Sequence, residues 1–311
     1  MAENLSASDF EKIFEEVKNW GKWGTNDERG ALNYITPKKR AMGATLVQDG
    51  ESVSCSLEFP TRPALDNPNP AQHMMVVAGD ACTSTGIPGM EAAMDYIGVA
   101  FHGMAVSHID ALCHVFVKKK MYNGFDASEV KSIGAFRNSI VAAKDGIASR
   151  GVLLDIPRLR GAEWLEIGER IRPEELEAAE KAQNVRVDEG DILLVGTGRD
   201  ARRAAMGTWA PMEGLAGLDG SCVPWLHERR LAVLGCDGVS DAIPNGDAEG
   251  WPMPIHQCTL VAMGVHLLDN LRLDLVAAAC AARERWEFFL VIAPLQILRG
   301  TGSPVNPVAI F

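Results

Sequence analysis

The recurrence of short apolar runs is the feature that most constrains the fold of this 311-residue chain. Runs with an apolar centre of about four to eight residues, bounded by glycine, proline or aspartate, are typical of buried strands. The runs are SVSCSLEF (52–59), YIGVAFHG (96–103), SIVAAKD (139–145), GVLLDI (151–156), DILLVGTG (191–198), LAVLGCD (231–237) and FFLVIAPL (288–295). They predict a chain built mainly on buried sheet.

Helical periodicity interrupts the strands, mostly in the second half of the chain. Residues 8–20 predict a helix capped by Ser8 or Asp9, with Phe10, Ile13 and Phe14 on one face. Further helices are predicted at 173–183, 222–228, 259–268 and 275–285, the last capped by Asp274. The sequence contains no internal repeat and no low-complexity linker. We therefore expect one α/β domain with a mixed sheet over residues 1–311, on which residues 1–40 pack as a helix and loop extension.

Composition narrows the class of partner. The net charge of −11 argues against general binding to nucleic acid or to an anionic membrane. The apolar stretches are too short to span a bilayer. No glycine-rich phosphate-binding motif follows a strand, so nucleotide binding has no support. The charge says little about binding of a small-molecule substrate.

The cysteines indicate a reducing compartment. The chain has 7 of them, an odd number, and none forms a CxxC pair. The polar, acidic start MAENLSASDFEKIFEEV is unlike a signal peptide. We expect reduced, mostly buried thiols and a cytoplasmic location.

Residues 101–115, FHGMAVSHIDALCHV, carry three histidines and an aspartate in an apolar run. His108 and Asp110 are two residues apart, so on a strand they point to the same side. An imidazole and a carboxylate together suit a divalent ion. Burying these groups is costly unless they are paired or bind a metal, so the cluster favours a metal or acid–base site over a set of core histidines.

The other two histidines depend on how the chain bends. His114 reaches the same cavity if the chain turns after Asp110. His102 would lie roughly 20 Å from His108 on a straight strand. The two can share an ion only if residues 103–107 bulge or loop, which Gly103 permits.

Together with other blocks, this segment resembles the cyclase-type metal-dependent hydrolase family, which includes bacterial kynurenine formamidases and isatin hydrolase. SHIDALCHV is similar to the family signature H-x-G-T-H-x-D-x-x-x-H. The other matching blocks, in the family's order, are GKWGTNDERGALNYITP (21–37), RGVLLDIPRL (150–159), EGDILLVGTGR (189–199), LAVLGCDGVSD (231–241) and PLQILRGTGSPVNPVAIF (294–311). The resemblance covers nearly the whole chain and implies a swivelling β/β/α fold, assembled as a homodimer or homotetramer.

The resemblance assigns roles to the motif. His108 and Asp110 match metal ligands, and His114 matches a histidine that shuttles protons. Met104 stands where the family has its first metal histidine, and a thioether is a poor ligand for Zn²⁺ or Mn²⁺. His102 is the natural substitute if the segment is rearranged.

A second ion is also implied. Some family members hold it with a histidine and a glutamate about a dozen residues apart. His256 and Asp269 have close to this spacing, with aspartate in place of glutamate. His266, on the same predicted helix, is interpreted as a surface or core histidine. Zn²⁺ and Mn²⁺ are equally compatible with such ligands.

The implied reaction is hydrolysis of an aryl or cyclic amide, a lactam or imide or else a lactone, by metal-activated water. His114 would act as the catalytic acid–base. Two alternatives remain open. One is a metal-dependent dehydratase or isomerase. The other is a non-catalytic binding protein of the same fold that has lost one metal ligand.

Residues outside the motif are candidates for substrate contact. Trp23 and Phe59 are loop aromatics that could stack on a flat ligand, and His73 follows a proline-rich stretch predicted to be a mobile loop. Asp237 and Asp241 predict aspartate capping at the end of a strand. Arg199 belongs to an arginine cluster, interpreted as a solvated helix face or a carboxylate-binding group.

Overall fold

The structure, a computed structural model, describes residues 5–80, 85–246 and 248–311. The strands are β1 (Ser52–Ser54), β2 (Gln72–Val77), β3 (Met94–Gly98), β4 (His108–Asp110), β5 (Val130–Lys131), β6 (Gly134–Ala135), β7 (Ile147–Asp155), β8 (Arg170–Ile171), β9 (Ile192–Gly196), β10 (Gly217–Leu218), β11 (Val233–Cys236), β12 (His266–Asp269), β13 (Glu287–Ile292), β14 (Gly302–Pro304) and β15 (Val308–Ile310).

The helices are shorter than the sequence predicts. The α-helices are α1 (Ala7–Glu16), α2 (Pro37–Ala44), α3 (Ile156–Arg160), α4 (Pro173–Ala182), α5 (Arg199–Met206), α6 (Val223–Glu228), α7 (Pro254–His256) and α8 (Asp274–Arg283). A π-helix, Gln257–Met263, continues α7. The 3₁₀ turns are Gly30–Tyr34, Tyr122–Gly124, Ala127–Glu129, Ile140–Ala143, Pro211–Glu213 and Gly220–Cys222.

A nine-stranded mixed sheet organises the molecule, in the order β1-β15-β13-β7-β9-β11-β12-β4-β14. The central strands β7, β9, β11 and β12 are parallel, and the strands on both sides of them are antiparallel. Apolar side chains cover both faces of the sheet. The central strands are buried on both faces, so they read as continuous apolar runs in the sequence. The predicted α/β domain with a mixed sheet is therefore confirmed.

The N-terminal extension packs on the π-helix region. The rings of Phe10 and Phe14 each lie 5.7 Å from the ring of Trp251. The indole of Trp20 donates a hydrogen bond to the carbonyl of Val261 at 2.7 Å. The predicted cap of α1 is wrong, because Ser6 rather than Ser8 or Asp9 accepts the hydrogen bond at the start of the helix.

Three further local predictions are also wrong. The run at 139–145 forms the 3₁₀ turn Ile140–Ala143 instead of a strand. The periodicity at 259–268 continues past the end of the helix, because Gly264 adopts a φ of +70° there and the chain then enters β12. His266 therefore lies on a strand. Asp274 is the first residue of α8 and not its cap.

The hairpin of β2 and β3 forms a separate two-stranded sheet with an apolar, solvent-facing surface. Met74, Met75 and Val76 on β2 and Tyr96 and Ile97 on β3 are all exposed. β3 ends at Gly98, a few residues before the histidine motif. The hairpin thus leads directly into the segment that carries His102.

The described ranges show the state of the cysteines and the lengths of the apolar helices. Within them the cysteines are free and buried; Cys82 lies outside the described residues. No helix within the same ranges is long and apolar enough to cross a membrane.

Candidate metal centre

Strand β4 positions the first two candidate ligands. It lies between β12 and β14 and pairs antiparallel with both. In this register His108 lies opposite Asp269, and residues directly opposite each other share a face. Asp110, two residues along the strand, points to the same side as its spacing predicts. The side chains of His108 and Asp110 are 2% and 1% exposed, so both groups lie in a desolvated site.

His102 reaches this site because the chain before β4 is not extended. Residues 102–106 form a succession of bends, and Gly103 has a φ of +151°, which favours glycine. His102 Nδ1 lies 3.0 Å from Asp110 Oδ1. The rings of His102 and His108 are 5.3 Å apart. The segment therefore loops in the way that a shared ion requires.

His256, at the end of α7, also reaches the two carboxylates. Its Nε2 lies 3.3 Å from Asp269 Oδ2 and 3.7 Å from Asp110 Oδ2. Its Nδ1 lies 2.6 Å from Asp241 Oδ2. The Asp241 carboxylate also accepts hydrogen bonds from the backbone N–H groups of Ile255 and His256. Asp241 thus holds both the ring and the short helix that carries it.

The imidazoles of His102, His108 and His256 surround the carboxylates of Asp110 and Asp269. Each has one ring nitrogen bonded to a group outside this cluster and the other facing into it. His108 Nδ1 bonds to the Val106 carbonyl at 2.8 Å, and His256 bonds outward to a carboxylate. His102 Nε2 lies 3.0 Å from Thr301 Oγ1. In the neutral imidazoles, the Val106 carbonyl and the Asp241 carboxylate hold the proton of His108 and His256 at Nδ1, which leaves Nε2 with a free lone pair. The Thr301 hydroxyl, which can also donate, can accept the proton of His102 Nε2 in the same way. This is the arrangement of metal-binding histidines.

The inward-facing atoms fit a cation. Asp110 Oδ1 and Oδ2, Asp269 Oδ1 and His102 Nδ1 are buried and form no hydrogen bond of good geometry, although His102 Nδ1 and Asp110 Oδ1 lie 3.0 Å apart. A buried polar atom left unsatisfied costs about 1–3 kcal/mol. Two triads have ligand atoms within 4.8 Å of one another and share Asp110. They are His102, His108 and Asp110, and Asp110, His256 and Asp269. Imidazole nitrogens with carboxylate oxygens suit a divalent ion such as Zn²⁺ or Mn²⁺.

The carboxylates raise the pKa of two histidines in the cluster. Burial lowers the pKa of His256, but Asp269 and Asp241 outweigh burial and raise this pKa well above its ordinary value. In the same way, Asp110 and Asp269 raise the pKa of His108 against the effect of burial. The field at the site therefore favours a cation.

His114 lies beside the triads and belongs to neither. Its Nε2 is 4.0 Å from Asp110 Oδ2, and its ring stacks on His102 with centroids 3.9 Å apart. Burial lowers the pKa of His114; Asp110 opposes this, while the neighbouring histidines lower the pKa further. The imidazole is therefore neutral near neutral pH and able to accept a proton.

A cleft of about 400 Å³ opens onto the cluster. Its walls combine the histidines and Asp269 with Gln257 and a set of apolar side chains. The apolar side chains are Met104, Val115, Phe116, Val239, Pro252 and Met253. Apolar walls around a few convergent polar groups are typical of small-molecule sites.

Comparison with known proteins identifies the family. Residues 54–241, more than half of the chain, match a family model described as putative cyclase. The chain belongs to the cyclase family. A solved structure described as a novel cyclase is 32% identical, covers 96% of this chain and 99% of its own, and superposes with a TM-score of 0.85.

More distant structures share the cyclase fold. Isatin hydrolase A from Labrenzia aggregata, bound to benzyl benzoate, is 20% identical with a TM-score of 0.59, and the match covers 86% of this chain and 95% of that one. An isatin hydrolase bound to the product analogue thioisatinate is 18% identical with a TM-score of 0.60, covering 89% and 99%. A search among curated proteins gives no match.

Met104 stands where the family resemblance implies the first metal histidine. Its side chain packs against the small cluster of Trp209, Leu215 and Val239 and lines the cleft. Its carbonyl accepts a hydrogen bond from Arg199. Met104 therefore forms part of the cleft wall. Of Met104 and His102, it is His102 whose side chain lies against Asp110.

The three predicted substrate-contact residues lie away from the cleft lining. The ring of Trp23 meets Tyr34 edge-on at 5.0 Å. Phe59 is 43% exposed. His73 lies on β2, not in a loop, and its Nε2 is 3.0 Å from a carboxylate oxygen of Asp95. Substrate contact by Trp23, Phe59 and His73 stays a prediction.

The sequence analysis missed the part that Asp241 plays. Asp237 does cap the chain after β9, since its carboxylate accepts N–H bonds from Thr197, Gly198 and Arg199. Asp241 instead orients His256. Metal-binding histidines usually hydrogen-bond an oxygen acceptor through their second ring nitrogen. Asp241 ends the matching block at 231–241, so its carboxylate could have been recognised as such an acceptor. The contact of Thr301 with His102 was likewise missed.

Proposed function

We propose that this cyclase-family protein is a metal-dependent hydrolase that cleaves the C–N bond of an aryl or cyclic amide, a lactam or imide, or the ester bond of a lactone. The observation that carries the proposal is the orientation of His102, His108 and His256. Each holds one ring nitrogen outside the cluster and directs the other toward Asp110. The fold shared with isatin hydrolases supports the same chemistry.

The residues that would hold metal ions are those of the two triads. His102, His108 and Asp110 form one set, and His256 and Asp269 complete the other with Asp110. When bound, a divalent ion lowers the pKa of water and polarises a carbonyl group. We propose Zn²⁺ or Mn²⁺ for this part.

The protein's own groups supply the remaining steps. His114, neutral and next to Asp110, takes the proton of the attacking water at its ring nitrogen and returns it to the leaving nitrogen. The apolar side chains of Phe116 and Met253 at the cleft orient a flat ring and limit access of bulk water. Hydrolysis then adds water across the amide and opens the ring of a cyclic substrate.

The test combines metal analysis with a substrate panel. Protein produced with Mn²⁺ and Zn²⁺ is expected to retain stoichiometric metal and to hydrolyse at least one of isatin, N-formylkynurenine, simple lactams and lactones. His108→Ala is expected to abolish both properties. Absence of metal in the wild-type protein contradicts the proposal. Bound metal with no hydrolysis of any compound favours a dehydratase or isomerase.

We also propose that the protein assembles as a homodimer or homotetramer, as the family resemblance implies. Light scattering of the purified protein measures this directly. A monomer at micromolar concentration contradicts it.

A further inference from the structure

Arg199, at the start of α5, is buried and bonded on several sides, although the sequence suggested a solvated helix face. The residue is 7% exposed. Its Nη1 donates to Asn270 Oδ1 at 2.7 Å and to the Asp237 carbonyl at 3.2 Å. Its Nη2 donates to the Met104 carbonyl at 2.5 Å. One guanidinium thus links α5, the end of β11 and the segment after His102.

Asn270, next to Asp269, extends this connection. Because its Oδ1 accepts from Arg199, its amide nitrogen must point the other way. This Nδ2 donates to the Gly103 carbonyl at 2.7 Å and to the Val106 carbonyl at 3.2 Å. The backbone carbonyl of Asn270 accepts from Ser107 Oγ at 2.6 Å. Arg199 and Asn270 together therefore bond to three carbonyls of the 103–106 segment.

The same segment determines the position of two metal-ligand candidates. His102 precedes it and His108 follows it. The Val106 carbonyl accepts from both Asn270 Nδ2 and His108 Nδ1, so it couples the network to the ring orientation of His108. The segment consists of bends, which lack the hydrogen-bond ladder of a helix or strand. Hydrogen bonds from outside it must replace that ladder.

We propose that Arg199 and Asn270 are positioning residues that hold segment 103–107 in the loop that brings His102 against Asp110. This inference rests on the proposed function, because it gives His102 the role of a metal ligand. The planar guanidinium suits the task, since it reaches three acceptors in fixed directions and a lysine ammonium does not. This arrangement compensates for the absence of a histidine at Met104. His102, two residues earlier, supplies the imidazole, and Arg199 holds the chain that follows it in place.

The test is a metal titration of the metal-free full-length protein with Co²⁺, followed by visible absorption. Arg199→Lys is expected to weaken one Co²⁺ site by about 10- to 100-fold, the usual effect of losing an outer-shell contact. Arg202→Lys is the matched control, because Arg202 lies three residues along α5 and pairs with the exposed Glu166. It is expected to bind Co²⁺ like the wild type.

Two further measurements separate positioning from a general loss of structure. In a His102→Ala background, Arg199→Lys is expected to cause a smaller loss of Co²⁺ affinity than in the wild type, because the part of its effect that passes through His102 is already lost. Hydrogen exchange of amides 102–107 in the metal-free protein is expected to rise in Arg199→Lys while the exchange of β9 and β11 stays unchanged. If Arg199→Lys does not fold, Asn270→Ser is titrated in the same way.

The outcomes are distinct. Wild-type-like Co²⁺ binding by Arg199→Lys and Asn270→Ser overturns the positioning role and leaves the proposed function intact. An equal loss of affinity with and without His102 also overturns the positioning role. Absence of Co²⁺ binding in the wild-type protein overturns the proposed function and this inference with it.

Discussion

His102 and His114 stack face to face, with ring centroids 3.9 Å apart and planes within 4° of each other. One ring belongs to a candidate metal-binding triad and the other to neither triad. The stacking places the proposed acid–base group, His114, in direct contact with the proposed metal ligand, His102. This division of roles gives the first two predictions.

Replacing His114 by alanine is expected to leave metal content unchanged and to lower turnover by about 10²- to 10⁴-fold, the usual effect of removing a general acid–base. Metal analysis and kcat on the active substrate measure the two effects separately. Loss of metal in His114→Ala would mean that His114 is a ligand.

Replacing His102 by alanine is expected to weaken one metal site by at least about tenfold, because a direct ligand is lost. Met104→Leu is the matched control. It replaces the thioether by a branched alkyl group of similar volume, so the cleft wall stays filled and we expect unchanged metal affinity. A greater effect of Met104→Leu than of His102→Ala would reverse the assignment.

Asp241→Asn is expected to lower metal affinity by about 10- to 100-fold by releasing His256 Nδ1 from its carboxylate partner. In the metal-free protein the same change is expected to lower the pKa of His256, because Asp241 is one of the groups that raise it. Metal titration and NMR pH titration of the imidazole measure the two effects. An unchanged pKa argues against this contact.

His266 is expected to make the metal-free protein less stable in acid. It is fully buried with neither ring nitrogen hydrogen-bonded, and burial lowers its pKa to about 4 from an ordinary 6.5. The unfolded chain therefore takes up this proton first as the pH falls, and stability is lost between about pH 6.5 and 4. The difference in pKa corresponds to roughly 3 kcal/mol below both values.

The measurement is chemical denaturation of wild type and His266→Gln at several pH values. Above pH 7 His266 is neutral in both the folded and the unfolded wild-type protein, so any difference between the two proteins there reflects packing. The wild type is expected to lose more free energy of unfolding than the variant between pH 6.5 and 4. Equal losses would show that His266 does not titrate as its burial implies.

The sequence alone determined the parts of this protein that depend on local periodicity. Buried strands such as β9 and β11 read as apolar runs, and the period of two placed His108 and Asp110 on one face of β4. Ordered motif blocks indicated the family, and the spacing that the resemblance implies for a second ion indicated His256 and Asp269.

Only the tertiary structure decided the contacts between distant segments. Nothing local indicated that Asp241 would hold His256, that Thr301 would meet His102, or that Arg199 would be buried against Met104. The period at 259–268 predicted one continuous helix, but the helix stops at Gly264 and β12 follows. These outcomes depend on which side chains the sheet order brings together, and spacing along the chain carries that information only within one strand or one helix.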